Sequence, residues 1–198
     1  MIIKGQILPE SDFAQSIDNT IATYKPRTIV EIGTWRGLGS TKTIIDSIIK
    51  NNLQSEFTSI ESNLTFHTEA VENLRDYKNY VNLIHGRIVE VDEVISFCKK
   101  EGVSVVYEWL KNDIVDIENN KNIIADIPEF IDFLLLDGGE YATFAEWNKL
   151  KDRTKIVALD DTLTMKCQHI RAELIKNDEY ECLIDSDDRN GYSIFIKK

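Results

Sequence analysis

The chain has 198 residues, enough for one domain with its own hydrophobic core. Its composition, 42% hydrophobic and 29% charged, is that of an ordinary soluble globular protein. With 34 acidic against 23 basic residues the formal net charge is -11, the wrong sign for phosphate neutralisation, which excludes nucleic acid and anionic membranes as main partners and favours a small molecule.

The opening, "MIIKGQILPESDF", lacks the long apolar stretch and small-residue cleavage site of a signal peptide. No apolar segment reaches the ~20 residues of a membrane span. Together these predict a cytoplasmic protein. Cys98, Cys167 and Cys182 are odd in number and form no CxxC pair, so reduced thiols are expected rather than a disulfide framework or a zinc site.

In chain order, β-rich runs alternate with helical stretches. "TIVEIG" (28–33) precedes the helical "STKTIIDSIIKNN", "FTSIES" (57–62) precedes "TEAVENLRDYKN", and "VNLIHG" (81–86) follows. Residues 99–128 are irregular and long for a crossover, which predicts an insertion, with an extra helix or a lid near the site. "FIDFLLLD" (130–137) and "KIVALDD" (155–161) resume the alternation, and "YECLIDS" (180–186) and "GYSIFIKK" (191–198) are joined by the turn "DDRNG". The pattern predicts a single domain over 1–198, of Rossmann-like, doubly wound α/β class: three α/β/α layers ending in an antiparallel hairpin.

The first strand runs into Glu31 and Gly33, then Gly37 and Gly39, and a helix opens at Ser40 or Thr41. Glycines permit a tight turn and close approach to a ligand. The spacing G-x-x-x-G-x-G is neither the dinucleotide fingerprint nor a P-loop. Taken alone it fits a plain βα turn as well as a ligand-binding one. Glu61, at the end of the second strand, is placed where an acid accepts hydrogen bonds from ribose hydroxyls.

At these residues a family likeness emerges. "VEIGTWRGLGST", "IES" and "LLLDGGEY…IVALDDT" resemble the class I S-adenosylmethionine-dependent methyltransferases, in particular the branch of sugar and macrolide-sugar O-methyltransferases of the macrocin type. The likeness spans most of the chain. It implies a seven-stranded sheet ordered 3-2-1-4-5-7-6 with strand 7 antiparallel. It further implies that Glu31, Gly33, Thr34, Trp35, Gly37, Ser40 and Asp137 surround the methionine part of S-adenosylmethionine. Glu61 and Ser62 would hold the ribose, and Gly86 and Arg87 in "HGRIV" would border the adenine. Trp35 stands where the commoner E-x-G-x-G-x-G loop has its middle glycine. The form E-I-G-T-aromatic-R-G occurs in the sugar-modifying branch, although Trp35 and Arg36 are equally placed to cover the loop from outside.

In that strand order Asp137 lies beside Asp160 and Asp161, on strands about 4.8 Å apart, at the edge where open α/β sheets bind ligands. Three adjacent carboxylates repel unless protons or a cation offset them. An all-oxygen set suits Mg²⁺ or a similar divalent ion. The likeness implies the same: metal-dependent O-methyltransferases pair an Asp after strand four with an acidic doublet after strand five. Such an ion lowers the pKa of a sugar hydroxyl, and a base takes its proton. Related enzymes carry D-x-x-H here, with the histidine as base. This chain has Glu140, which is a candidate base, metal ligand or substrate contact, or else a helix-start acid favoured by the macrodipole. Gly138 and Gly139 are expected to leave the space beside the acceptor free of side chains.

His85 is an edge candidate for the adenine pocket or equally a structural residue. His67 and His169 read as surface helix residues, with His169 also an outside candidate for the base because it lies close to the Asp160–Asp161 loop, and Tyr141, Phe144 and Trp147 read as core. Arg189 and Asn190 read as turn residues. The expectation is therefore an S-adenosylmethionine-dependent O-methyltransferase acting with a divalent metal on a hydroxyl of a sugar, nucleotide-sugar or similar small metabolite. Self-association into a homo-oligomer is left open. A non-catalytic cofactor-binding protein and a nicotinamide-dependent oxidoreductase are the alternatives; the missing G-x-G-x-x-G and the terminal hairpin count against the latter.

Overall fold

The computed structural model describes residues 7–104 and 107–198. The first six residues, on which part of the signal-peptide reading rests, and two residues of the 99–128 segment lie outside it.

The strands are β1 (Thr28–Ile32), β2 (Glu56–Glu61), β3 (Asn82–His85), β4 (Ile131–Leu136), β5 (Thr154–Asp160), β6 (Tyr180–Ser186) and β7 (Tyr192–Lys197), all where the apolar runs predicted them. They form one sheet in the order β3-β2-β1-β4-β5-β7-β6. Pairing is parallel from β3 to β5, and β7 is antiparallel to both neighbours.

Successive residues of a strand point to opposite faces, and both faces of this sheet are covered. Ile29, Phe133, Leu135 and Ile156 pack on one side against α1 (Asp12–Tyr24) and α2 (Ser40–Lys50). Val30, Leu134, Leu136 and Val157 pack on the other with residues of α4 (Val91–Lys100), α5 (Glu108–Glu118), α6 (Thr143–Leu150) and α7 (Gln168–Lys176). Double burial is why β4 reads as an unbroken apolar run rather than an alternating one. The remaining helix, α3 (Leu64–Asn73), follows β2.

Helix α1 was not among the predicted elements. Its signals are Ser11, whose hydroxyl caps the Ala14 N–H at 3.2 Å, and Phe13, Ile17 and Ile21 on one buried stripe. The three cysteines are free, with Cys98 and Cys167 buried and Cys182 exposed. Among the described residues no helix is long and apolar enough to cross a membrane.

Register decides what gathers at the C-terminal edge. Ile32 pairs with Ile60 and with Leu136, and Leu136 pairs with Leu159. The next residue on each strand is therefore at one level: Gly33, Glu61, Asp137 and Asp160 stand in a row.

Candidate active site

The turn after β1 is built on positive backbone angles. Gly33 has φ +99°, and a Cβ there would lie 2.0 Å from the Asp137 carbonyl oxygen. The Asp137 N–H in turn donates to the Ile32 carbonyl at 2.9 Å, so the two loops are in backbone contact. Gly37 has φ +75° and abuts the Leu74 side chain. Trp35 also takes a left-handed conformation, φ 48°, uncommon for a bulky residue. Its ring meets Phe66 edge-on at 6.0 Å, and the Arg36 guanidinium lies 5.4 Å from the Trp35 ring and 5.7 Å from that of Phe66. These three side chains form one packed group beside the turn.

Two glutamates anchor the turn. Glu31 is fully buried and accepts hydrogen bonds from Thr41 at 2.7 Å and Ser59 at 2.5 Å; Ser59 also bonds Thr34 at 2.5 Å. Burial pushes the Glu31 carboxyl up to about 7 against the pull of the Ser40, Ser59 and Thr41 hydroxyls. Among the described residues its Oε1 meets the geometric criteria for a hydrogen bond with no group. Glu61 accepts the Trp35 N–H at 2.6 Å and the Asn63 N–H at 2.8 Å, and burial likewise lifts it to about 7. A carboxylate has about four lone-pair sites, so Glu61 retains capacity for further donors.

Two more acids, missed by the sequence reading, reach the same edge. Glu146 of α6 is raised to about 8 by burial and by the nearby Asp113, and its buried Oε2 has no hydrogen-bond partner among the described residues. Asp113 of α5, raised to about 6 by burial, accepts the N–H groups of Tyr141 at 2.8 Å and Ala142 at 3.2 Å. Both approach the backbone at Gly138 and Gly139. A Cβ on Gly138 would lie 2.8 Å from Glu146 Oε2, and one on Gly139 would lie 2.5 Å from the Asp113 carboxylate. The absence of side chains at the two glycines is what admits these carboxylates.

Helix α5 lies within the segment predicted as an insertion, and it spans the ends of three strands. Asp113 holds the backbone after β4, Asp116 accepts from Asn63 after β2 at 3.2 Å, and Asn120 just beyond the helix donates to the Ser62 carbonyl. Arg87, after β3, donates to the Asn120 carbonyl at 3.0 Å and the Val89 carbonyl at 2.7 Å and pairs with Glu90 at 2.6 Å, so its guanidinium is engaged in this segment. Gly86 is buried against Ile123. His85 Nε2 lies 3.2 Å from the Ser62 carbonyl, and its ring is 5.4 Å from that of His67.

Asp137, Asp160 and Asp161 are brought together, with one ligand atom of each within 4.8 Å of the others. A cation already stands among them. Lys166, on the loop after β5, places Nζ 2.8 Å from Asp137 Oδ1 and 2.7 Å from Asp161 Oδ2. The turn residues Arg189 and Asn190 fold back to the same cluster: Arg189 lies 3.6 Å from Asp160 Oδ1, and Asn190 donates to Asp161 Oδ1 at 3.0 Å. Despite burial, Lys166 and Asn190 hold Asp161 below its usual value, whereas burial and the neighbouring Asp137 and Asp161 charges raise Asp160 to about 8. Burial raises Asp137 as well, against the pull of Lys166, so protons and the two neighbouring cations together offset the charge of the cluster. Sequence reading missed Lys166, although it lies only five residues beyond Asp161 in "DDTLTMK".

The oxygen set alone would suit a divalent ion. An ion shared by Asp137 and Asp161 would, however, sit at contact distance from the Lys166 ammonium, and like charges that close repel strongly. As arranged, the cluster does not fit a divalent ion. Glu140 is turned to the same loop, accepting the Met165 N–H at 3.0 Å and the Thr164 hydroxyl at 3.3 Å. Among the remaining candidates, Tyr141 and Trp147 are buried as predicted, and Phe144 stacks on Phe97 at 4.6 Å. His169 lies edge-on to Phe97 and 3.6 Å from Glu101.

No protein-family profile matches the sequence, and no curated protein sequence does. The fold has many solved counterparts. A proposed caffeoyl-CoA O-methyltransferase from Staphylococcus aureus superposes with TM-score 0.65 at 18% identity over 96% of this chain and 86% of its own. An O-methyltransferase from Bacillus cereus bound to S-adenosylhomocysteine gives 0.61 at 14% identity, covering 93% and 80%. An O-methyltransferase from Streptomyces achromogenes involved in tomaymycin synthesis, bound to S-adenosylmethionine, gives 0.60 at 13%, covering 93% and 79%. The chain shares the fold of these solved O-methyltransferase structures, a seven-stranded sheet with an antiparallel β7.

Proposed function

We propose that this protein is an S-adenosylmethionine-dependent O-methyltransferase acting on a hydroxyl of a small molecule. The observation that carries the reading is the surplus of buried acid around the β1 turn: Glu31, Glu61, Asp113 and Glu146 all lie at the C-terminal edge, and Glu31 and Glu146 each have an oxygen with no hydrogen-bond partner among the described residues. Buried acids without partners are costly. A ligand with a cationic centre and sugar hydroxyls offsets that cost, and S-adenosylmethionine has both.

In this reading the Gly33 turn and Glu31 border the methionine part, and Glu61 receives the ribose hydroxyls. Gly86 and the 119–123 stretch border the base, while Arg87 acts through its hold on that stretch. When bound, the cofactor supplies an electrophilic methyl group. The chain's own residues bind, orient and exclude water, so proximity supplies much of the rate. Helix α5 is the cover over the cofactor edge, and Asp137 with the Lys166 loop forms the acceptor side. Glu140 serves there by holding that loop.

The acceptor class is a sugar, nucleotide-sugar or similar hydroxylated metabolite in the cytoplasm, on the strength of the E-I-G-T-W-R-G turn and the Asp160–Asp161 doublet. The closeness of the three aspartates favours a second reading, in which Mg²⁺ enters and Lys166 is displaced. The function is tested by incubating the protein with S-adenosylmethionine and a panel of sugars and nucleotide-sugars, following S-adenosylhomocysteine formation. Saturable cofactor binding with acceptor-dependent turnover supports it; no binding of the cofactor defeats it.

A further inference from the structure

We propose that Lys166 is the resident cation of the carboxylate cluster, occupying the place a divalent ion would take, so that the acceptor's oxygen meets an ammonium rather than a metal. The side chain is only 12% exposed, and its partners Asp137 and Asp161 are 19% and 17% exposed. Surface lysines keep the charged head in water; this one turns it inward, between two acids of different strands.

The loop that delivers it is held from several sides. Glu140 accepts the Met165 N–H at 3.0 Å and the Thr164 hydroxyl at 3.3 Å, and the Lys166 N–H donates to Thr164 Oγ1 at 3.3 Å. Cys167, the next residue, is fully buried. The acid three residues past Asp137 thus clamps the loop from which Lys166 reaches back to Asp137. This gives D-x-x-E a positioning role. Across the cluster, Arg189 faces Asp160 at 3.6 Å, so two cations answer three carboxyl groups without an ion.

An ammonium has three donors. Two go to Asp137 and Asp161, and the third has no partner among the described residues. That donor is available to an acceptor oxygen. Only this last role rests on the methyltransferase reading; the occupancy of the cluster by Lys166 does not.

The experiment titrates Mn²⁺ alone, followed by its EPR signal, into the full-length protein and into Lys166→Met and Lys166→Gln. The proposal expects no saturable site in the wild type and one site in each variant, at least about tenfold tighter, because removing the adjacent like charge frees the oxygen set. Adding Asp161→Asn to either variant abolishes the gained site. Near-UV circular dichroism identifies a variant that fails to fold, and the other then carries the comparison. A wild-type site as tight as that of the variants overturns the proposal, as does a folded variant that gains none. No cofactor enters the titration, so failure of the methyltransferase reading is registered separately, by S-adenosylmethionine binding.

Discussion

Gly33 shows how little freedom the site leaves a single residue. Its φ of +99° is unfavourable for any side chain, and a Cβ would collide with the Asp137 backbone. Gly33→Ala is therefore expected to lower stability by about 3 kcal/mol and to remove cofactor binding, measured by urea unfolding and calorimetric titration. The Lys166–Asp137 pair makes a second case. Breaking a buried pair from one side leaves an uncompensated charge, whereas removing both partners does not. Asp137→Asn and Lys166→Met should each destabilise, and the double variant should lose less than their sum, with a coupling of about 1–3 kcal/mol in a double-mutant cycle. Additive losses would contradict the pairing. At this scale the sequence was only partly legible. Glu61 and Asp137 were visible because each closes an apolar strand run, and Glu31 because it is an acid inside the first strand just before the glycine turn. Lys166, Glu146 and Asp113 were not, because their roles depend on where long side chains and helix packing carry the carboxylate or ammonium.

Strands were the most readable elements. β4 and β5 are apolar on both faces because helices cover both sides of the sheet, and each apolar run stops at the acid that meets the C-terminal edge. The order of the sheet came from family likeness, and register then accounts for Gly33, Glu61, Asp137 and Asp160 falling in line. Helix α5 was predicted only as an unspecified extra element: Leu110, Ile114 and Ile117 give it a short apolar stripe at helical spacing, but its polar ties run to distant loops and leave no local pattern. In the proposed function this helix covers the cofactor edge, so its exchange reports on cofactor binding. Asp113→Ala strips the Tyr141 and Ala142 N–H groups of their acceptor, at a cost of about 1 kcal/mol. Amide exchange over residues 108–118 should quicken in that variant and slow in the wild type when S-adenosylmethionine is added. Identical exchange with and without cofactor would remove the cover role.

For the whole molecule the consequence of the acid surplus is a pH dependence. Glu31 and Glu61 rise from 4.5 to about 7, and Glu146 rises from 4.5 to about 8. The folded state then binds more protons than the unfolded state between these values, so stability is greatest below about 4.5 as far as these groups are concerned and falls as pH rises to about 8. Glu146→Gln should flatten that fall and raise stability at pH 8 by about 2 kcal/mol, or roughly 4–8 °C in melting temperature for a chain of this size. A cationic ligand favours the ionised acids, so binding should release protons near neutrality. A melting temperature that rises steadily from pH 5 to 8 would contradict the burial of these groups.

The central claim, that this edge binds S-adenosylmethionine, is met most directly by isothermal titration of the protein with S-adenosylmethionine at pH 7 in two buffers of different ionisation enthalpy. The account predicts one saturable site, proton release detected as a buffer-dependent heat, and loss of that site in Gly33→Ala and Glu61→Ala variants that remain folded. No binding by the folded wild type at millimolar cofactor would contradict it.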